Sequence, residues 1–423
     1  MHNYKSYRSL IILWLGQSLS RFGSSLTPFA LSLWAYSETG SAFAVSMLTV
    51  SVYVPYIIFS IPAGVVCERR NKKALILFAD TAAAVCTFAV GLCHAAGSLT
   101  LGFVYLANCL NGLMQAFQAP ASDVAVTLVT PDDKIQKAGG LRSLSNAVIS
   151  LAGPAAATAV YTLWGLDAVI MADLLSYLAA SASLLFLVRI PEEKKKEADK
   201  ESFIKSLREG AGFLRTHTGL VEIILFLGCI NFIASIYNAA LPALILEKAD
   251  ETVLAAINSA AGAAMLLSGI AAAMLSAPRR RVRVIVISLF ISMSSENFVL
   301  AFSSTPAMWL AGAFAGWLCI PVMNANLDAL MRLAVPQEMQ ARVYSIRNMM
   351  QFGSIPAGYA AGGLLVDKVF EPFMLHTESS VLHTLFGSGK GSGAAMLFAV
   401  IGFCGVAVCI IFSSLKAMRE LDD

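Results

Sequence analysis

Charge is scarce in this chain: 13% of its 423 residues are Asp, Glu, Lys or Arg, while 57% are hydrophobic. Soluble domains carry about a quarter charged residues, so this deficit and a mean hydropathy of +0.70 exclude an ordinary soluble domain. Histidine is scarcer still, and none of His2, His94, His217, His376 and His383 forms a metal-binding pair on an expected helix. The eight cysteines include no CxxC pair and fall mostly in apolar runs, where they read as core thiols rather than bridges or ligands. No nucleophile, base and orienting group can be read as a cluster, so catalysis is not expected. The stretch GSGKGSG lacks the GxxxxGK[ST] spacing of a phosphate loop, so ATP hydrolysis is not expected either. No cofactor is called for, and a net charge of +3 makes no case for nucleic acid.

Long apolar runs are what the chain has in quantity. A helix needs about 20 mostly apolar residues to cross the hydrocarbon core, and lipid leaves no water to satisfy an open backbone. Segments of that kind fall at 10–35, 42–66, 74–95, 99–127, 143–163, 166–189, 219–243, 252–276, 284–303, 306–331, 344–366 and 393–414. The expected fold is therefore an all-α membrane protein with twelve transmembrane helices. The first segment is too long for a removable signal peptide and lacks its cleavage site, so it is expected to stay.

The basic residues mark one face. With residue 1 in the cytoplasm, all of the 30 Lys and Arg except Arg21, Lys248, Lys368 and Lys390 fall on inner segments. That bias sets both termini inside, in a cell membrane, the inner one where a host has two. The run IPAGVVCERRNKK at 61–73 is the densest short example, an apolar helix end that becomes basic within a few residues.

A shift of 205 residues superposes Asp123 on Asp328, Pro131 on Pro336, Arg142 on Arg347, Gly153 on Gly358 and Gly64 on Gly269. A duplicated six-helix unit follows, giving two pseudo-symmetric bundles at 1–189 and 219–423 joined by a cytoplasmic linker at 190–218. The linker is polar, and its middle has the spacing of an amphipathic helix with Phe203, Leu207, Phe213 and Leu214 on one face. Two rigid bundles that rock about a central cavity make a physical case for transport.

Selectivity must then come from embedded polar residues. Arg21 lies about eleven residues into the first segment, where a cation is expensive unless it meets water, an anion or a carboxylate. Gln17, Ser20, Ser24 and Pro28 form a stripe with Arg21 near it, expected to line the cavity. Asp173 and Glu296 are the other deep charges. A desolvated carboxylate can take up a proton on one side and release it on the other, though either is equally readable as a fixed partner of Arg21 or a helix cap. Asn108, Asn111, Gln115 and Gln118 step along one helix face, and Asn231 and Gln351 add amides in the second half, as cavity wall or as helix glue. Asp80, Asp123 and Asp328 lie near basic loops and are expected to pair there as gate parts, with Arg142 and Arg347 among the cations. Gly112, Gly153, Gly262, Gly358, Gly362 and Gly363 are expected to let helices approach closely.

At this point GVVCERRNKK, residues 64–73, resembles the loop between helices 2 and 3 of the major facilitator superfamily. Gly64, Arg69, Lys72 and Lys73 match that family's pattern, Glu68 replaces an aspartate and Asn71 replaces a glycine that it can imitate in a left-handed turn. The resemblance implies an inner gate in which Gly64 packs against helix 11 while Glu68 meets the start of that helix and Arg347. WLGQSLSRFGSSLTPFALSLW, NGLMQAFQAPASD, RSLSNAVISLAGPA, and GGLLVDKVFEPFM followed by GSGKGSGAAMLF are similar to the macrolide-efflux branch. What the resemblance implies is a monomeric, proton-driven exporter of an amphipathic small-molecule substrate, surrounded by membrane lipids. A lipid or lysophospholipid translocator, with a headgroup site near Arg21, and a nontransporting scaffold or receptor are the alternatives.

Overall fold

The structure is a computed structural model that describes residues 7–131, 135–188, 190, 203–274 and 278–422. Every described secondary element is helical. The helices are α1 (Tyr7–Thr39), α2 (Ala42–Arg69), α3 (Lys72–Ala95), α4 (Leu101–Val129), α5 (Ile135–Leu187), α6 (Phe203–Thr216), α7 (Thr218–Lys248) and α8 (Glu251–Met274). They continue as α9 (Arg281–Phe302), α10 (Pro306–Leu318), α11 (Ile320–Ala334), α12 (Gln337–Leu364), α13 (Glu371–His376), α14 (Ser380–Phe386), α15 (Ser392–Ser414) and α16 (Lys416–Arg419). Among the described residues, eight helical segments are long and apolar enough to cross a bilayer. α1, α4 and α12 fall outside that set, and they carry Arg21, the amides 108–118 and Arg347.

Two expected segments join and one divides. The runs at 143–163 and 166–189 are both within α5, which breaks at Gly165, where φ is 79°. Only glycine takes that conformation without a Cβ penalty, so the helix kinks there without a loop. The run at 306–331 is interrupted at Cys319, between α10 and α11. Pro321 follows two residues later and has no N–H to offer the carbonyl of Trp317, which the Cys319 N–H takes instead.

The described chain forms two compact units. The first runs through Thr39 and resumes at Met47; the second contains Gly40–Ser46 and everything from α6 onward. In the first, α1 packs along α5, and α3 packs against α4 and α5. Its ends meet in a buried cluster of Leu13, Cys67, Ile76, Ala121, Ala125, Val129, Leu184 and Val188. Small residues are common there because dispersion between close backbones, not exclusion of water, holds helices together in lipid. In the second unit α7 packs on α12 and α15, and α9 on α10 and α15.

The outward surface is apolar. On α3, Phe78, Val85, Phe88 and Leu92 are more than half exposed and share a stripe, as a lipid-facing helix requires. α6 covers the middle of the expected linker helix; Leu214 is buried and the Phe213 ring stacks on His217 at 4.1 Å. The side chains of Phe203 and Leu207 lie outside the described residues.

Candidate functional site

In the first unit the polar residues of α1 divide into two rows. Trp14, Ser18 and Arg21, spaced by four and three, face the first half of α5: Trp14 Nε1 donates to Ser145 Oγ at 2.7 Å and to Leu141 O at 2.9 Å. Ser18 Oγ lies 2.6 Å from Ser145 Oγ, and Arg21 Nη2 donates to Asn146 Oδ1 at 2.9 Å. Arg21 and Asn146 are both exposed.

The second row is Gln17, Ser24 and Thr27. Gln118 Nε2 of α4 donates to Gln17 Oε1 at 3.1 Å, and the Gln17 amide also meets the Asp80 carboxyl of α3. Asp80, expected to pair with the basic loops, is thus engaged by an amide inside the bundle. Ser24 Oγ donates to Asp173 Oδ1 at 2.7 Å and Thr27 Oγ1 to Asp173 Oδ2 at 2.8 Å. Two hydroxyls on successive turns of α1 therefore satisfy a carboxylate that is only 6% exposed. Gly23 makes the approach possible: a Cβ there would come within 2.7 Å of Ser176 Cβ and 3.3 Å of Asp173 Cα.

The amide stripe of α4 separates into roles. Asn108 is buried and donates to Leu48 O of α2 at 3.2 Å, a helix-to-helix bond, and Gly112 one turn on lies against the Val52 carbonyl. Asn111 Oδ1 is buried with no hydrogen-bond partner among the described residues. Gln115 is exposed.

In the second unit Glu296 of α9 is 4% exposed. Its Oε1 accepts from Trp317 Nε1 of α10 at 2.9 Å, and the Tyr237 hydroxyl of α7 also bonds it. Gly316 lies against it, where a Cβ would be 2.7 Å from Glu296 Cβ. Three helices thus meet at one carboxylate. Asn231 Nδ2 donates to Gln351 O at 3.2 Å, tying α7 to α12.

Of the expected gate residues, Arg347 donates from Nη1 to Asp328 Oδ1 at 3.5 Å and from Nε to Gln351 Oε1 at 3.3 Å. Lys73 Nζ donates to the Leu185 and Val188 carbonyls at 2.9 and 2.8 Å, capping the end of α5, and Lys72 is buried. Asn71 differs from its expected left-handed turn. It is extended (φ −61°, ψ 119°), and its side chain accepts the Ala74 N–H, so it starts α3 as an N-cap. Asp123 is exposed on α4. Gly64, Glu68 and Arg69 lie in α2 and Arg142 in α5, but their side chains are outside the described residues.

Sequence reasoning did not find Ser24 and Thr27 as the donors to Asp173, nor Trp317 and Tyr237 as those to Glu296. The spacing of Ser24 and Thr27 on α1 was a readable signal, whereas the second group comes from three separate helices.

Among the described residues all secondary structure is helical, and several helices are long and apolar enough to cross a membrane, which makes this a multi-span membrane protein by class. A family model described as Major Facilitator Superfamily matches residues 13–280, and the chain belongs to that superfamily. It is a transporter of small molecules across a membrane, not an enzyme. It is 24% identical over 379 residues to macrolide efflux protein A of Streptococcus pyogenes, covering 87% of this chain and 92% of the relative. It is 25% identical over 328 residues to macrolide efflux protein A of Enterococcus faecalis, covering 75% of this chain and 99% of that protein. Among solved structures, the nucleoside transporter NupG superposes with a TM-score of 0.66 at 12% identity, over 96% of this chain and 98% of its own, a likeness of fold.

Proposed function

We propose that the chain exports amphipathic small molecules of the macrolide type in exchange for protons, by alternating access. Twelve transmembrane helices in two six-helix bundles, at 1–189 and 219–423 with the linker 190–218 between them, would carry the motion. Both termini and the basic loops lie on the cytoplasmic side in this reading, in the cell membrane or inner membrane, and the protein works as a monomer among lipids. The single observation that carries the reading is the doubled polar face of α1, a helix that in this reading crosses the membrane and presents Arg21 exposed while Gln17, Ser24 and Thr27 engage Gln118 and Asp173. Polar groups of that number are costly in lipid and are retained where water or substrate meets them.

In this reading Arg21, Gln17, Asn108, Gln115 and Asn231 form or support the substrate path, and Asp173 or Glu296 carries the proton. Gly64, Glu68, Arg69, Lys72, Lys73, Asp123, Arg142, Asp328 and Arg347 form the inner gate. The name both relatives carry, macrolide efflux protein A, supports the substrate class.

The test has two stages. A deletion strain and an overexpressing strain are compared across a chemically broad drug panel, and any hit is followed in proteoliposomes with and without a pH gradient. Gradient-dependent accumulation of a macrolide supports the proposal. Movement of a labelled lysophospholipid in place of drugs replaces it with a lipid translocator, and unchanged accumulation of every compound favours a nontransporting role.

A further inference from the structure

The span Pro306–Met331 is long and apolar enough to cross a bilayer, yet its helix breaks near the middle, between α10 and α11. Cys319 donates its N–H to Trp317 O rather than to Ala315 O, so the Ala315 carbonyl loses the donor that an unbroken helix would give it. Irregular backbone at membrane depth persists where something other than lipid satisfies it.

α9 runs antiparallel to α10 across this break. Gly312 lies on Val299 and Gly316 on Glu296, so Cys319, almost one turn further, falls level with Ser292. Helical periodicity puts Ser292 between Glu296 and Val299 on the face that meets α10, whereas Met293 and Asn297 lie against Gly405 and Gly402 of α15. Ser292 is 2% exposed and Glu296 4%. Two oxygen-bearing side chains are therefore buried one turn apart, beside a break that releases a carbonyl.

The carboxylate is short of positive charge. Its Oε1 takes the Trp317 N–H, and the Tyr237 hydroxyl adds a second neutral donor. Among the described residues no Lys, Arg or His side chain pairs with Glu296. An anion buried without a counter-charge is costly, and neutral donors offset only part of that cost. Oε2 faces Gly316, where an added Cβ would lie 2.9 Å away. The missing side chain thus leaves room beside the oxygen that Trp317 does not use.

We propose that a sodium ion binds at the break between α10 and α11, held by Glu296 Oε2, the Ser292 hydroxyl and the Ala315 carbonyl. The ligand set is one carboxylate, one hydroxyl and one carbonyl, all hard oxygens, with a single negative charge. That matches a monovalent cation; a divalent ion of the calcium type takes more carboxylates, and zinc or copper takes nitrogen or sulfur. Breaks in membrane helices suit such ions because released carbonyls stand in for part of the hydration shell. The room beside Oε2 is that of the methyl group Gly316 lacks, which favours sodium over the larger potassium. The site lies wholly within the second unit. Its use in transport rests on the exporter reading above, and sodium at Glu296 leaves the proton to Asp173.

The test needs no substrate. Thermal unfolding of the purified full chain in detergent is followed while sodium chloride replaces choline chloride at constant ionic strength, with potassium chloride in a parallel series. An ion that binds the folded state alone raises the midpoint as its concentration rises. A saturable rise with sodium, absent with potassium and choline, is expected for the parent. Ser292→Ala should raise the half-saturating sodium concentration at least about tenfold, and Glu296→Gln, which keeps the shape and loses the charge, should abolish the response. Ser294→Ala, on the opposite face of α9 where the hydroxyl bonds the Phe290 carbonyl, should respond like the parent. A parent midpoint that rises no more with sodium than with choline or potassium would overturn the site, as would an unchanged sodium response in Ser292→Ala or Glu296→Gln. If Glu296→Gln fails to fold, Ser292→Ala decides alone. A sodium response in a protein that exports nothing rejects the exporter reading and keeps the site; pH-driven macrolide export with no sodium response does the reverse.

Discussion

Trp317 Nε1 donates to Glu296 Oε1 at 2.9 Å, across from α10 to α9, with the Tyr237 hydroxyl on the same carboxylate. The carboxylate therefore has a structural task whatever it does in transport, and the two can be separated. Glu296→Ala strands the buried Tyr237 hydroxyl and the partly buried Trp317 N–H, at about 1–3 kcal/mol for the buried donor and less for the other, and is expected to lower the detergent-unfolding midpoint. Glu296→Gln keeps an acceptor and the shape. It should unfold near the parent temperature while losing gradient-driven transport. Full transport by Glu296→Gln would remove Glu296 as the proton carrier and leave Asp173.

Arg21 differs from Glu296 in being exposed, with Asn146 as an acceptor at 2.9 Å. A partly hydrated bond contributes about 1 kcal/mol. Arg21→Ala is thus expected to change the unfolding midpoint little and to cut export at least about tenfold if the guanidinium meets substrate or a coupling carboxylate. Parallel resistance profiles for Arg21→Ala and the parent would reject that role.

Close helix contacts predict opposite outcomes at two glycines. Gly112→Ala drives a methyl into the Val52 carbonyl, where backbone must move, and is expected to destabilise by about 1–3 kcal/mol. Gly269, the counterpart of the motif glycine Gly64, has nothing within 4 Å of an added Cβ. Gly269→Ala should be neutral or stabilise by about 0.4–1 kcal/mol through lower chain entropy. Thermal unfolding of both variants in one detergent checks the pair.

Glu371 predicts a pH dependence. Burial pushes its carboxyl above the ordinary value of 4.5, Glu247 adds to the rise, and the Gly393 and Gly391 N–H groups and Lys248 oppose it. The folded state holds this proton where the unfolded chain has released it. The resulting stability is complete below the unfolded value and is lost as pH rises through the raised folded value. The unfolding midpoint of the parent should therefore fall across that window relative to Glu371→Gln, which cannot titrate. Parallel curves for the two would contradict this.

The sequence determined the helices and their environment. Apolar runs of bilayer length force helix because lipid offers no other partner for backbone polar groups, and this holds for each segment alone. It also marked Asp173 and Glu296 as charges inside long apolar runs, and both are buried, whereas Arg21, expected to be deep, is exposed. The tertiary structure decided who meets them. Ser24 and Thr27 reach Asp173 because Gly23 lets α1 lie on α5, Trp317 and Tyr237 reach Glu296 from two other helices, and Asp367 finds the start of α2 more than three hundred positions earlier in the chain. Such partners depend on which helix faces pack together, a choice made by shape and small residues over the whole unit, and no local pattern encodes it.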